Sequence, residues 1–315
     1  MSIGAGLQGP PGLVASVYAR GLTNVAAFAF DPQGRLWAAT AAATDQGKDG
    51  LYLVGAPGAA PQEVVASLDT PLGLLWYDGS LYVASSGGVD AFIGFDGTRF
   101  AERRTVLTLP ATVGELNGLA AGADGRLLLG ISAPCDHCTP SSRLSAAIVS
   151  FLPDGSGLEL YATGIRAPVG LIDDGAAGGL LVTIDQRDDL GARTPGDWLA
   201  VVRPGQAWGF PACYGQGGSL CSGRPTPTAV LDQHAGVIGL AIVHGQFGAT
   251  VGTSAFVAEW ALGKVQRVAL SGPSVGAVVP FLLGMAHPGP LIVTPSGAVL
   301  AGDWATGTVY RVAMV

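Results

Sequence analysis

Tyr161–Cys221 reads YATGIRAPVGLIDDGAAGGLLVTIDQRDDLGARTPGDWLAVVRPGQAWGFPACYGQGGSLC. An apolar strand follows Gly170, a polar turn at Asp173–Gly179 breaks it, and a second strand, LLVTI, runs into an acidic loop, RDDLG. A third strand, Trp198–Val202, leads to the aromatic turn Trp208-Gly209-Phe210-Pro211. Strand, glycine-rich turn, strand, polar loop, strand describes one blade of an antiparallel sheet, because no stretch between the strands has the length or period of a crossover helix.

Outward from this stretch the pattern repeats. Gly73-Leu74, Gly118-Leu119, Gly170-Leu171 and Gly239-Leu240 each open a short apolar strand; Gly289-Pro290-Leu291 is a variant, and Asn24–Phe30 fills the same place with alanines. A turn and second strand follow each opening strand, as in DPQGRLWAAT and ADGRLLLGI, then a third strand, as in GLYLVG and DWLAVV, and a fourth, as in EVVASL and LELYATG. Six units of four strands, at intervals of roughly 45 to 70 residues, predict an all-β fold, a six-bladed β-propeller, within one domain over 1–315. A sandwich leaves the repeat unexplained, and a solenoid needs shorter, more uniform units. The last unit ends after its third strand, at Val315, and LVASVYARG (Leu13–Gly21) has the character of the missing fourth. The N-terminal strand is therefore expected to pair in the last blade and close the ring, hiding an open edge. Residues 1–12 are expected to form a flexible N-terminal segment.

The bulk composition agrees. With 49 glycines, 21 prolines and 12% charged residues, turns are frequent and amphipathic helices scarce. Mean hydropathy is high, +0.43, yet Gly or Pro interrupts every apolar run before the roughly 18 residues that a membrane-spanning helix needs. A net charge of −7 argues against nucleic acid as a partner. No basic and then apolar leader begins at Met1, so either the chain is cytoplasmic or an export signal precedes this numbering. The four cysteines form two close pairs, Cys135/Cys138 and Cys213/Cys221. Local disulfides and a periplasmic or extracellular location are the leading expectation, with a zinc site joining the pairs as the alternative.

In such a ring the residues just ahead of each opening strand line the central funnel. They are Asn24, Asp69, Glu115, Arg166, His234 and His287. So many ionisable groups in a chain with few charges point either to a ligand or catalytic site or to a hydrated polar plug.

The phrases ATGIRAPVGL, RDDLG, PGD and GFPACYG, together with ADGRLLLGI, a CxxC loop, FLPDGSG and HAGVIGLA, resemble the soluble quinoprotein glucose/sorbosone dehydrogenase family. The resemblance implies a six-bladed propeller that oxidises sugars with PQQ and calcium. It implies a catalytic arginine at Arg166, a cofactor-binding role for Arg166 and His287, and calcium ligands at Asp188, Asp189 and Asp197. It also places Gly114 where the family has its catalytic histidine, Ala261 near its cofactor-binding lysine, and His287 and Gly289 near its paired arginines. If proton abstraction persists, Glu115, His137 or His234 must supply the base. Three functions follow: a sugar dehydrogenase with a rearranged site; a non-catalytic propeller that grips a sugar-like small molecule, a peptide or a protein partner; or a lactonase-like hydrolase with an axial metal on Asn24, Asp69 and Glu115.

Overall fold

The computed structural model describes residues 1–42, 49–175 and 178–315; Ala176 and Ala177, within the turn expected at Asp173–Gly179, lie outside the described residues. The described chain forms six antiparallel sheets. Blade 1 comprises Val25–Phe30, Leu36–Thr40, Asp49–Val54 and Gln62–Leu68; blade 2, Gly73–Tyr77, Ser80–Ser85, Gly88–Phe95 and Phe100–Thr108; blade 3, Leu116–Ala121, Leu127–Ile131, Ala147–Phe151 and Glu159–Thr163. Blade 4 comprises Ala167–Ile172, Leu180–Asp185, Gly196–Val202 and Ala229–Gln233; blade 5, Val237–His244, Thr253–Glu259, Lys264–Ala269 and Val278–Leu283; blade 6, Pro288–Val293, Val299–Asp303, Thr308–Met314 and Leu13–Ala19. Each opening strand packs against the next, and that of blade 6 packs against that of blade 1. No helix is long and apolar enough to cross a membrane.

The ring closes as the pattern predicts. Thr308–Met314 pairs antiparallel with Leu13–Ala19, from Val309 opposite Ala19 to Met314 opposite Leu13. The apolar core is divided among the gaps between neighbouring blades. Leu22, Val25 and Leu36 from the start of the chain pack with Leu300 and Val309 from its end, so the seam is held by side-chain burial as well as by the strand ladder.

The recurring glycine has a steric cause. The opening strands crowd together at the axis, and a Cβ on Gly73 would stand 2.3 Å from the Asn117 carbonyl oxygen of the next blade; on Gly118 it would stand 2.5 Å from the Val169 oxygen. No side chain fits at these two positions, and glycine recurs at the start of units two to six, while the first unit carries alanine there. Just beyond these positions the opening strands of blades 3 to 6 slip register against their neighbours, at Leu116/Leu119, Pro168/Leu171, Val237/Leu240 and Pro288/Leu291. Such irregularities re-aim side chains toward the mouth of the ring.

Two expectations are revised. Residues 1–12 contain a hairpin, Ser2–Gly4 with Leu7–Gln8, whose Gln8 pairs with Leu283 on the outer edge of blade 5. Ile3 and Leu7 are buried with Phe281 and Leu282, so apolar burial fastens a segment read as loose. The zinc alternative also falls, because Cys135–Cys138 and Cys213–Cys221 are disulfides and no cysteine is free.

Candidate functional site

A well of about 390 Å³ opens on the ring axis and takes its lining from every blade, through Ala26, Leu72, Asn117, Val169, Ile238 and Gly289. Glu115, Asp185, Trp260 and Trp304 supply its charged and aromatic walls. Among the described residues no lysine or arginine side chain lines it. Beside it lies a second cavity of about 490 Å³, bordered by Gly114, Cys135, Asp136 and Arg166; Glu115 borders both.

The aromatic wall comes from consecutive blades. Trp260 follows Thr253–Glu259 and Trp304 follows Val299–Asp303, so each indole leaves the inner end of a second strand. Their rings meet at 5.6 Å and 72°, an edge-to-face contact. Trp304 Nε1 donates to the Ala41 carbonyl at 2.9 Å, across the closing seam. The His287 ring stacks on Trp260 at 4.1 Å and 17°, and its Nδ1 meets the Trp260 carbonyl at 3.0 Å. His287 thus backs the indole instead of projecting as a cofactor ligand.

Arg166 stands just ahead of its opening strand and is held by two carboxylates. Its Nη2 donates to Asp136 Oδ1 at 2.7 Å, and its Nη1 donates to Asp185 Oδ2. Asp136 lies inside the loop closed by Cys135–Cys138 and also accepts the backbone N–H groups of Asp188, at 3.0 Å, and Asp189, at 2.8 Å. One disulfide-closed loop therefore fixes both the guanidinium and the acidic loop of blade 4. Asp185 Oδ1 is buried with no hydrogen-bond partner. Burial raises the Asp185 carboxyl to about 6, against the lowering effect of Arg166.

The three acids expected to hold calcium do not converge. Asp188 meets His234 Nδ1 at 2.8 Å. Asp189 receives Arg187 Nε and Nη2, both at 2.6 Å, and this pairing holds its carboxyl below the usual range. Asp197 is 1% exposed and accepts the backbone N–H groups of Gln186 at 2.8 Å and Val237 at 3.4 Å. Burial, and then the charge of Asp185, pushes the Asp197 carboxyl up to about 8. Among the described residues no three His, Cys, Asp or Glu side chains are grouped to hold a metal.

Of the six funnel residues, Glu115 lines the well. Its carboxylate has no partner among the described residues. Arg166 borders the second cavity. Both ring nitrogens of His234 face oxygens, Nδ1 that of Asp188 and Nε2 the Gly191 carbonyl at 3.1 Å, which leaves neither for a substrate hydroxyl. His137 is similarly engaged through Nε2 with the Pro211 carbonyl at 3.2 Å. Asp69 borders a rim cavity with Ser86 and Arg103, and Asn24 serves the seam through its backbone, donating to the Trp304 carbonyl at 2.7 Å. Asp69 and Glu115 thus border different cavities. Asp136, Asp185, Trp260 and Trp304 were not singled out by sequence reasoning. The acid-tryptophan dipeptides Glu259-Trp260 and Asp303-Trp304, placed alike in successive units, were the signal for the two indoles.

No protein-family model matches the chain, and no curated protein sequence matches it. Solved structures do. The PQQ-bound aldose sugar dehydrogenase of Streptomyces coelicolor is 21% identical over 98% of this chain and 100% of its own, with a TM-score of 0.76. The PQQ domain of pyranose dehydrogenase from Coprinopsis cinerea is 15% identical over 98% and 97%, with a TM-score of 0.78. The soluble aldose sugar dehydrogenase of Escherichia coli is 16% identical over 96% and 100%, with a TM-score of 0.76. The chain shares its six-bladed fold with these sugar dehydrogenases along nearly its whole length.

Proposed function

We propose that this chain is a binding propeller with the sugar dehydrogenase fold, whose axial well takes a small polyhydroxylated molecule against Trp260 and Trp304 without holding PQQ or calcium. The observation that carries this reading is that Arg166, the one family-like cation beside the well, is shared between Asp136 and Asp185, while Glu115 and Asp185 line the well itself. PQQ carries three carboxylates, and burying them against acids, with no lysine or arginine in the lining among the described residues, costs several kcal/mol per ion, on the order expected for uncompensated buried charge. The described lining residues do not fit that cofactor. A mixture of indole, amide and carboxylate suits a sugar, which offers apolar C–H faces and hydroxyl donors together.

Backbone geometry favours the same reading. Gly114, aligned with the family's catalytic histidine, has φ +106°, and a Cβ there would lie 2.2 Å from the Ser132 carbonyl oxygen. The loop is therefore shaped around glycine. Glu115 keeps a free carboxylate next to it, as a dehydrogenase with a displaced base would require, but hydride transfer also needs an acceptor that the well does not suit. The two disulfides support folding in an oxidising compartment, such as the periplasm or the extracellular space.

Titrating tryptophan fluorescence with a panel of aldoses, and measuring dye reduction after adding PQQ and calcium, tests the proposal. Saturable quenching by a sugar and no cofactor-dependent rate is the expected result. A stoichiometric PQQ complex, or sugar oxidation that depends on it, overturns the proposal.

A further inference from the structure

We infer that the ligand of the axial well carries a positive charge: an amino sugar, or a comparable protonated amine on a polyhydroxylated frame. This inference rests on the reading of the well as a sugar-like site and specifies its chemistry. Three independent features point the same way. First, the Glu115 carboxylate has no partner among the described residues and borders the well, so its charge is uncompensated where a ligand would lie. Second, the cluster next to it sets two carboxylates, Asp136 and Asp185, on one guanidinium, so it too is net negative. Third, the aromatic wall is made of tryptophan, the side chain that attracts cations best through its ring quadrupole, and Trp260 and Trp304 border the same space as the two acids. A neutral sugar would use the indoles but leave both acidic groups without a counter-charge. An anionic sugar would be repelled.

Calorimetric titration of the full chain at pH 7 with glucosamine and with glucose separates the two readings. Glucosamine is expected to bind about tenfold more tightly, the combined effect of one cation–π contact and one solvent-exposed ion pair. Glu115→Gln, a neutral isostere at an exposed position, should remove about fivefold of that preference. Trp260→Ala should weaken both sugars. Added salt should narrow the gap between them, because an exposed pair is screened. Equal affinities for the two sugars, or a preference that stays about tenfold in Glu115→Gln, overturns the charge inference while leaving the sugar reading in place. Binding of neither sugar overturns both.

Discussion

A methyl group on Gly239 would stand 2.2 Å from the carbonyl oxygen of Gly289 and 2.8 Å from the backbone nitrogen of Leu291. Two opening strands from successive blades therefore touch backbone to backbone. Gly239→Ala must push blade 5 away from blade 6, and a loss of about 2–3 kcal/mol is expected. Gly55→Ala is the control, since nothing lies within 4 Å of its Cβ. Urea unfolding of both variants should show a lower midpoint for Gly239→Ala alone.

Asp136 joins Arg166 to the backbone of Asp188 and Asp189. Asp136→Asn halves the acceptor capacity and turns an amide donor toward other donors. A loss of about 2 kcal/mol follows from charge-assisted bonds at a partly buried site, whereas Glu102→Gln, on the exposed outer strand of blade 2, should change little. Opening the loop by replacing Cys135 and Cys138 with serine should act in the same direction, which melting temperatures of the three variants will show.

Stability should fall as pH rises from about 4 to about 8. Asp185 and Asp197 hold folded values of about 6 and about 8, both raised from 3.8. Across that window the folded state binds more protons than the unfolded state, so raising pH favours unfolding. The sign is opposite to that of a salt-bridged carboxylate. Thermal melts between pH 4 and pH 9 check it, and Asp197→Asn should flatten the upper part of the decline.

Gly114→His should not create a dehydrogenase. Its left-handed φ and the 2.2 Å approach of Ser132 leave no room for a side chain, so the substitution is expected to cost about 2–4 kcal/mol. Dye reduction with added PQQ and calcium should stay at background, and the melting temperature should drop.

The scaffold was legible in the sequence for a physical reason. The glycines that open units two to six are there because neighbouring backbones leave little room for a Cβ, and sterics of that kind leave the same residue at the same place in five of the six units. The site was only partly legible. Topology put Glu115 at the well, yet His234 and Asp188, both plausible chemical groups when read singly, are hydrogen-bonded to each other. Partnership between charged side chains depends on geometry between blades, which a repeat pattern does not carry. Trp260 and Trp304 escaped notice because the inner ends of second strands, as well as the approaches to the first, face the axis.

The hairpin of residues 2–8 has a further consequence for solubility. Its Gln8 pairs with Leu283 at one end of the outer strand of blade 5, where Val279 and Leu283 remain 41% and 40% exposed even with the hairpin in place. Without those residues, the Leu283 end of this strand would also present bare ladder groups beside apolar side chains, a ready template for another chain to add to. Residues 2–8 are thus expected to guard that end against intermolecular strand addition, and size-exclusion chromatography of a chain lacking them should show more self-association than the intact chain.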